Sequence, residues 1–184
     1  MSFKSAAEQS DPKERASFED LFLQHWDRVY GVLFRLTGDC AEAEDLALET
    51  FTRLWQRPPA QDQTLVGWLY RVATNLGYNA LRSAGRRSRH EMDAGMEALA
   101  AGAGSPNPAK EAERSEDRQR VHQILQQMQA RQAQLLILRH SEMSYQEIAE
   151  ILNIALSSVG TLLVRAEKEF LRLYEKGDDH AHIG

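Results

Sequence analysis

The sequence predicts an all-α protein with two small helical domains joined by a flexible linker, the second containing a helix-turn-helix. Apolar residues recur at helical spacing along most of the chain, and no stretch alternates apolar and polar residues as a strand would. One segment is rich in Ala, Gly, Ser and Pro, which is typical of a linker. The prediction is a flexible N-terminus (1–16), a first domain (17–89), the linker (90–110), a second domain (111–176) and a flexible tail (177–184).

The composition is that of a water-soluble globular protein, with 42% hydrophobic and 27% charged residues among 184. No long apolar run and no signal peptide are present, so we expect a cytoplasmic protein without membrane insertion. Cys40 is the single cysteine, which excludes an internal disulfide. We expect no metal site at Cys40, nor at His180 and His182 in the polar tail. The net charge of −5 argues against non-specific coating of nucleic acid, which requires many Lys and Arg.

The first two helices are predicted from periodicity and from the residues at their ends. Apolar residues from Phe18 to Leu36 keep a helical period, and Gly38 ends that helix. Asp39 caps the second helix, with Glu42 in the capping-box position. The acidic residues of this helix are unbalanced until Arg53, which indicates a basic partner surface; the alternative is an ordinary solvated face.

The third helix is predicted to begin after a Thr64 cap and to carry more polar and aromatic residues than a core stripe needs. Aromatic rings can stack on bases, amides can read base edges and guanidinium groups can bind phosphates, so the set suits a single nucleic-acid strand. The alternative is that Trp68 and Tyr78 belong to the core and the arginines complement the helix C-terminus. The set comprises Trp68, Tyr70, Arg71, Thr74, Asn75, Tyr78, Asn79, Arg82, Arg86, Arg87 and Arg89.

The stretch from Ser144 to Ala166 predicts a helix-turn-helix. Ser144 and Glu147 have the spacing of a capping box, and Asn153 tolerates the left-handed conformation of a tight turn. A second apolar series then continues until Gly177, which is expected to end the last helix. This layout can place its second helix in a DNA major groove, although an ordinary αα-hairpin would read the same way.

Together the two halves resemble a bacterial RNA polymerase sigma factor of the extracytoplasmic-function group, in the sigma-70 family. The resemblance covers roughly Phe18 to Tyr174. In the first half it is carried by Asp39, Ala43-Glu44-Asp45-Leu46, Glu49-Thr50-Phe51, Leu54-Trp55, Gly67-Trp68-Leu69-Tyr70-Arg71-Val72-Ala73, Asn75-Leu76 and Leu81-Arg82. In the second half it is carried by Arg131-Gln132, Leu136 to Arg139, Ser144-Tyr145-Gln146-Glu147-Ile148-Ala149 and Arg165-Ala166.

The resemblance implies that the second helix docks on the coiled coil of the large clamp subunit of core RNA polymerase. The implied contact residues are Asp39, Glu42, Asp45, Leu48, Glu49, Thr50 and Arg53. It also implies that the third helix melts and reads the minus-10 promoter element, with the loop at 57–64 helping to form a pocket for an unstacked base. The implied residues are Trp68, Arg71, Asn75, Tyr78, Asn79, Arg82, Arg86, Arg87 and Arg89.

For the second domain, the resemblance implies binding to the minus-35 duplex and to the polymerase flap. The expected DNA contacts are Ser157, Ser158, Gly160, Thr161 and Arg165. Members of the family are commonly held inactive by an anti-sigma protein, so we expect such a partner here. No cofactor and no small-molecule substrate are implied.

The sequence departs from the family pattern at four positions. Gly160 and Leu162 stand where the family has Lys and Arg, which should weaken duplex binding. Ala155 replaces a common Ser cap, for which Ser157 could substitute, and Leu48 replaces a common Gln. These changes and the net acidity motivate an alternative, a sigma-like decoy that binds polymerase or a protein without directing initiation. An enzyme is not expected, since no catalytic triad order, metal spacing or phosphate loop is present.

Overall fold

The computed structural model describes residues 12–59, 64–93 and 108–181, and side chains within 18–59, 64–87 and 116–176. The prediction of an all-α fold is confirmed, because these ranges form seven helices and no strand. Residues 60–63 of the predicted base-pocket loop and 94–107 of the predicted linker lie outside the described residues. The helices are α1 (Pro12–Thr37), α2 (Cys40–Gln56), α3 (Leu65–Asp93), α4 (Pro108–Gln127), α5 (Ala130–His140), α6 (Tyr145–Leu152) and α7 (Leu156–Ala181).

The helix ends of the first domain (α1–α3) follow from local capping chemistry. Gly38 has a φ of 72°, and its amide donates to the carbonyl of Phe34 at 2.9 Å, which closes α1. The Oδ1 of Asp39 accepts from the Glu42 amide at 2.7 Å and begins α2. At the start of α3, the hydroxyl of Thr64 accepts from the Gly67 amide at 3.2 Å. These three predicted boundaries are confirmed.

The helix-turn-helix forms as predicted. The Ser144 hydroxyl accepts from the Glu147 amide at 3.2 Å, and the Glu147 carboxylate accepts from the Ser144 amide at 2.7 Å, which is a complete capping box. Asn153 then adopts the left-handed conformation, with φ 51° and ψ 58°. This turn sets α6 and α7 at 91°.

Three predicted boundaries are wrong. α1 begins at Pro12 rather than near residue 17, since proline is favourable in the first turn, where its missing N–H costs no hydrogen bond. α7 continues through Gly177 to Ala181, because a glycine weakens a helix but ends it only when it turns left-handed. α7 starts at Leu156, so Ser157 lies inside the helix rather than at its cap, and a bond from the Ser158 amide to the Ala155 carbonyl closes the first turn at 2.9 Å.

The position of α3 organises the packing. Within the first domain it packs with α1 and α2, and on its other side it meets α4, α5 and α6 of the second domain (α4–α7). Its buried residues include Tyr70, Thr74 and Tyr78 besides the apolar Leu69, Ala73 and Leu81. The two domains therefore pack against each other along α3.

No single helix in the described ranges is both long and apolar enough to cross a membrane. α6 and the first part of α7 would satisfy length and composition only if taken together, and they are sharply bent at the turn.

Candidate polymerase-binding and DNA-binding surfaces

The exposed side of α2 carries most of the residues implied for polymerase binding. Asp45, Glu49 and Arg53 are exposed, Glu42 is half-buried, and Leu48 is 46% exposed although it is apolar. Their spacing puts them on one side of the helix, which we call the α2 face. The Arg53 guanidinium pairs with the Glu49 carboxylate at 2.5 Å. The α2 face is therefore acidic with a hydrophobic residue in its middle.

A cavity of about 500 Å³ opens beside the α2 face. Its wall is mostly aromatic, and the Phe18 and Trp55 rings meet edge to face with centroids 5.0 Å apart. Exposed apolar surface of this kind beside charged residues is typical of a protein-binding site. The cavity is lined by Phe18, Glu19, Phe22, Leu48, Phe51, Thr52 and Trp55.

Two of the residues implied for polymerase binding have structural roles. Thr50 is fully buried and donates its hydroxyl to the Leu46 carbonyl at 2.7 Å, so it does not belong to the exposed surface. Its position explains this, because it follows Ala43 by seven residues and therefore lies on the buried stripe of α2. Asp39 is exposed and caps the helix.

Six of the residues implied for the minus-10 element share one side of α3. We call this set the α3 face: Trp68, Arg71, Asn75, Asn79, Arg82 and Arg86. Its members are separated by three or four residues, so the side chains follow one another along the helix. Asn75, Asn79, Arg82 and Arg86 are exposed, whereas Trp68 is half-buried against the hydrophobic core. Arg87 is exposed and bonds Ser83 at 3.3 Å, and the side chain of Arg89 lies outside the described residues.

Part of the α3 face is hydrogen-bonded to the second domain. The Nε of Arg71 donates to the Ile151 carbonyl at 2.7 Å, and a terminal nitrogen of Arg71 donates to the Glu150 carbonyl at 2.8 Å. These carbonyls belong to the last turn of α6, where a cation is favoured, and the Glu150 carbonyl also accepts from the Asn153 amide at 3.3 Å. Arg71 therefore caps a helix of the other domain.

Two further side chains of α3 contact the second domain. Gln134 of α5 donates its amide to the Asn75 side-chain oxygen at 2.7 Å. Tyr78, implied to contact DNA, is 4% exposed and donates its hydroxyl to the Met128 carbonyl at 2.8 Å. In this arrangement Tyr78 belongs to the packed interior, which matches the alternative reading of the sequence.

An ion pair closes the contact on the α1 side. Arg28 of α1 meets Glu147 of α6 at 2.9 Å. Burial raises the pKa of Glu147, but hydrogen bonds from Ser144 and the proximity of Arg28 outweigh this and leave the pKa below its ordinary value. The pKa of the neighbouring Tyr70 hydroxyl is raised to about 12, chiefly by burial. Glu147 thus serves both the capping box and the domain contact.

The residues implied for the minus-35 element lie near the start of α7. Ser157, Thr161 and Arg165 are exposed and follow one another at four-residue intervals, whereas Ser158 and Gly160 are half-buried. Leu162 packs against the core, so its apolar character suits its position.

Sequence reasoning missed the exposure of three apolar residues on α7, Leu156, Val164 and Leu171, which are 55%, 50% and 56% exposed. The apolar residues of α7 outnumber those its buried stripe requires, and that signal was available. Among the described residues, no group of three His, Cys, Asp or Glu could hold a metal ion, and Cys40 is exposed.

Comparisons with known proteins agree with this division into two domains. The family model for Sigma-70 region 2 matches residues 21–87, and the model for Sigma-70, region 4, matches residues 118–170. The chain is 23% identical to the sigma factor RpoE, solved in complex with the anti-sigma factor NepR from Bartonella quintana, with a TM-score of 0.53 over 86% of this chain and 97% of that one. It is 18% identical to CnrH, solved in complex with the cytosolic domain of CnrY, with a TM-score of 0.58 over 93% of each chain.

Similar proteins of known name are sigma factors. The chain is 32% identical over 162 residues to the ECF RNA polymerase sigma factor SigE of Mycolicibacterium smegmatis, a match that covers 86% of this chain and 62% of SigE. It is 30% identical over 174 residues to the RNA polymerase sigma factor YlaC of Bacillus subtilis, covering 93% of this chain and 99% of YlaC. The chain therefore belongs to the extracytoplasmic-function group of the sigma-70 family of RNA polymerase sigma factors.

Proposed function

We propose that the chain binds core RNA polymerase through the α2 face and directs it to promoters, where α3 opens and reads the minus-10 element and α7 reads the minus-35 element. The observation that carries this proposal is the α3 face, a single row of one tryptophan, two amides and three arginines. Asn79, Arg82 and Arg86 of this row are exposed, and residues of all three types have a function on a separated DNA strand.

The chemistry of melting can be supplied by this row. Extruding a base from the duplex costs a few kcal/mol. Stacking on an aromatic ring is worth about 1–3 kcal/mol per base, so one ring such as that of Trp68 offsets much of the cost. Arg82 and Arg86 would bind the phosphates that flank the opened segment, and these contacts weaken with added salt. The chain needs no catalytic group of its own for this step, so we propose no enzymatic activity.

The α2 face supports the polymerase contact. Its acidic residues favour a basic partner surface, and Leu48 with the neighbouring aromatic cavity offers an apolar anchor point. The clamp coiled coil of polymerase is the proposed partner, and the second domain would also contact the flap. With polymerase holding the chain at the promoter, a net charge of −5 is no obstacle to DNA binding. The proposed location is the cytoplasm.

Regulation by an anti-sigma protein belongs to the same proposal. Two of the solved structures to which the chain is similar are complexes, one with the anti-sigma factor NepR and one with the cytosolic domain of CnrY. We propose an inhibitor of this kind that contacts both domains.

The alternative function, a sigma-like decoy that binds polymerase or another protein without directing initiation, is favoured by one observation. The exposed side of α7 carries Leu156 and Val164, and Gly160 and Leu162 stand where the family pattern has cations. Because cations are missing at these positions, the surface gains little binding free energy from DNA phosphates. Its exposed apolar residues suit contact with a protein better.

The experiment that separates the two is core binding followed by genome-wide run-off transcription with the purified chain. We expect tight core binding and transcripts that share an upstream sequence motif. Tight core binding without specific transcripts would support the decoy. An absence of core binding with a competent polymerase would contradict the proposed function and a decoy that acts on polymerase.

A further inference from the structure

We propose that α7 reads the minus-35 element through the C5 methyl groups of thymines, which the Val164 side chain and the methyl group of Thr161 contact in the major groove. This inference rests on the proposed function and deepens it, because it names the chemical group on DNA that the second domain recognises. It starts from a row of small and apolar residues on α7, which we call the α7 row: Ser157, Gly160, Thr161 and Val164.

The α7 row lies on the solvent side of the helix. Its members are spaced by three, one and three residues, so they share one side of α7. Ser157 and Thr161 are exposed, and Val164 is 50% exposed although its side chain is purely hydrocarbon. Val159 and Leu163 are buried on the other side. The row therefore occupies the first turns of the second helix of the helix-turn-helix, the part that contacts base edges when this motif binds DNA.

Gly160 leaves the middle of the α7 row without a side chain. A Cβ placed there would meet only the ring of Tyr145, at 3.6 Å, so the rest of this position is open. Leu162, the other residue that stands where the family pattern has a cation, packs against the core. No long side chain in the row therefore holds α7 away from a base edge, and short side chains such as those of Thr161 and Val164 need this close approach.

The charges around the α7 row favour DNA over an apolar protein surface. Residues 156–166 include one arginine, the exposed Arg165, and no acidic residue. The Arg139 guanidinium lies 5.7 Å from the centroid of the Tyr145 ring, which places a second cation at the edge of the row. Glu167, the first acidic residue of α7, lines a cavity shared with α1, α4 and α5. A row with cations at its edges and no carboxylate within it complements a groove bordered by phosphates.

The thymine methyl is the group in the major groove that this row is suited to recognise. Each base pair presents hydrogen-bonding groups there, and thymine adds a methyl group. Val164 has no side-chain atom that donates or accepts a hydrogen bond, so it can recognise a base only by apolar contact. Thr161 and Val164 are separated by about 4.5 Å along the helix axis, close to the spacing of about 3.4 Å between successive bases. The two side chains are therefore placed to contact neighbouring A·T pairs.

Replacement of thymine by deoxyuridine tests this directly, because it removes the C5 methyl and leaves every hydrogen-bonding group of the base pair in place. Holoenzyme reconstituted from core polymerase and the full chain binds a promoter duplex carrying the motif found by run-off, and competition with a labelled promoter measures the affinity. We expect about tenfold weaker binding when the thymines of the minus-35 element are replaced on both strands, since burial of each methyl group is worth about two- to fourfold in affinity. The matched control duplex carries the same number of replacements in the spacer between the two elements and should bind normally.

A variant of the chain assigns the methyl contact to Val164. Val164→Ala removes two methyl groups from an exposed position, and the helix should persist because alanine has the higher helix propensity. We expect this variant to bind the thymine promoter about three- to tenfold more weakly and to reduce the deoxyuridine penalty from about tenfold to about threefold, as for two groups in contact. Leu23→Ala, at an exposed apolar residue of α1, is the matched control and should keep the full penalty.

The outcomes separate the methyl contact from the proposed function. Equal affinity for the thymine and deoxyuridine promoters, with specific transcripts retained, would overturn the inference and leave the proposed function intact. A minus-35 motif without neighbouring A·T pairs would overturn it as well, and so would a deoxyuridine penalty that Val164→Ala leaves unchanged. Weaker core binding by Val164→Ala with that unchanged penalty would assign Val164 to a protein contact. Run-off transcripts that share no upstream motif would instead contradict the proposed function.

Discussion

The α2 face and the α3 face are neighbours in the same domain, yet they differ in accessibility. The α2 face is open, with Leu48 and the acidic side chains in solvent. The α3 face is half-covered, because Arg71 and Asn75 are bonded to the second domain. Under the proposed function, a polymerase contact through the α2 face would need no change in this arrangement, whereas Arg71 and Asn75 would have to release their partners in the second domain to contact DNA.

The largest expected effect comes from breaking the α2 face. Leu48→Lys places a cation in the middle of an acidic surface and removes its apolar anchor, so we expect at least a tenfold loss of affinity for core polymerase. Fluorescence anisotropy with labelled chain measures it. Leu23→Lys, at a residue of α1 that is 76% exposed, is the control for adding a lysine. Equal affinity in both variants would remove the α2 face from the polymerase interface.

The next largest effect is expected on the opening of promoter DNA. It comes from a change in the α3 face that should leave polymerase binding unchanged. Trp68→Ala removes the ring proposed to stack on an opened base, worth about 1–3 kcal/mol. We expect roughly tenfold fewer open complexes, measured as permanganate reactivity of thymines in the minus-10 element, with core affinity as the internal control. Undiminished thymine reactivity would exclude Trp68 from the melting site.

Substitutions at two glycines, one on α3 and one on α7, test how closely each helix packs against its neighbours. A Cβ on Gly77 of α3 would lie 2.7 Å from the Leu36 side chain, so Gly77→Ala should lower the free energy of unfolding by about 1–3 kcal/mol. On α7 a Cβ at Gly160 would lie 3.6 Å from the Tyr145 ring, an ordinary contact. Gly160→Ala should therefore raise stability by up to about 1 kcal/mol. Urea denaturation measures both; a stabilising Gly77→Ala would mean that α3 and α1 are less closely packed than described.

The smallest expected effect is a pH dependence of the free energy of unfolding, caused by His122 at the edge of the domain contact. Burial lowers the pKa of His122, and its main neighbouring charge is Arg118, so the folded chain favours the neutral ring. As the pH drops, His122 therefore binds a proton more readily in the unfolded chain than in the folded chain. The free energy of unfolding falls as the pH drops below 6.5, the ordinary pKa of histidine. His122→Gln should flatten this slope below about pH 6.5. His25, whose pKa is also lowered by burial, leaves a residual slope in both proteins.

Much of the fold could be predicted because its boundaries are set locally. Gly38, Asp39, Ser144 and Asn153 each end or begin a helix through their own backbone preference or a bond to a residue nearby in sequence. Family resemblance then assigned the two halves to binding surfaces. The α3 face could also be predicted from the sequence, because its members recur at helical spacing.

What could not be predicted is the contact between the domains. Tyr78 has the same sequence context whether it faces a base or the Met128 carbonyl, because the decision depends on a residue 50 positions away. The same holds for Arg71 and the end of α6. Thr50 is a different case, since its place on the buried stripe of α2 could have been read from its spacing.

The central claim, that α3 reads the opened strand, is tested most directly by a photocrosslink from the α3 face in the promoter complex. Asn79→Cys in a Cys40→Ser background accepts a photoreactive label at an exposed position. The account predicts crosslinks to the single-stranded minus-10 element that require core polymerase. Crosslinks only to upstream duplex, or equally strong crosslinks from a label at Leu23, would contradict it.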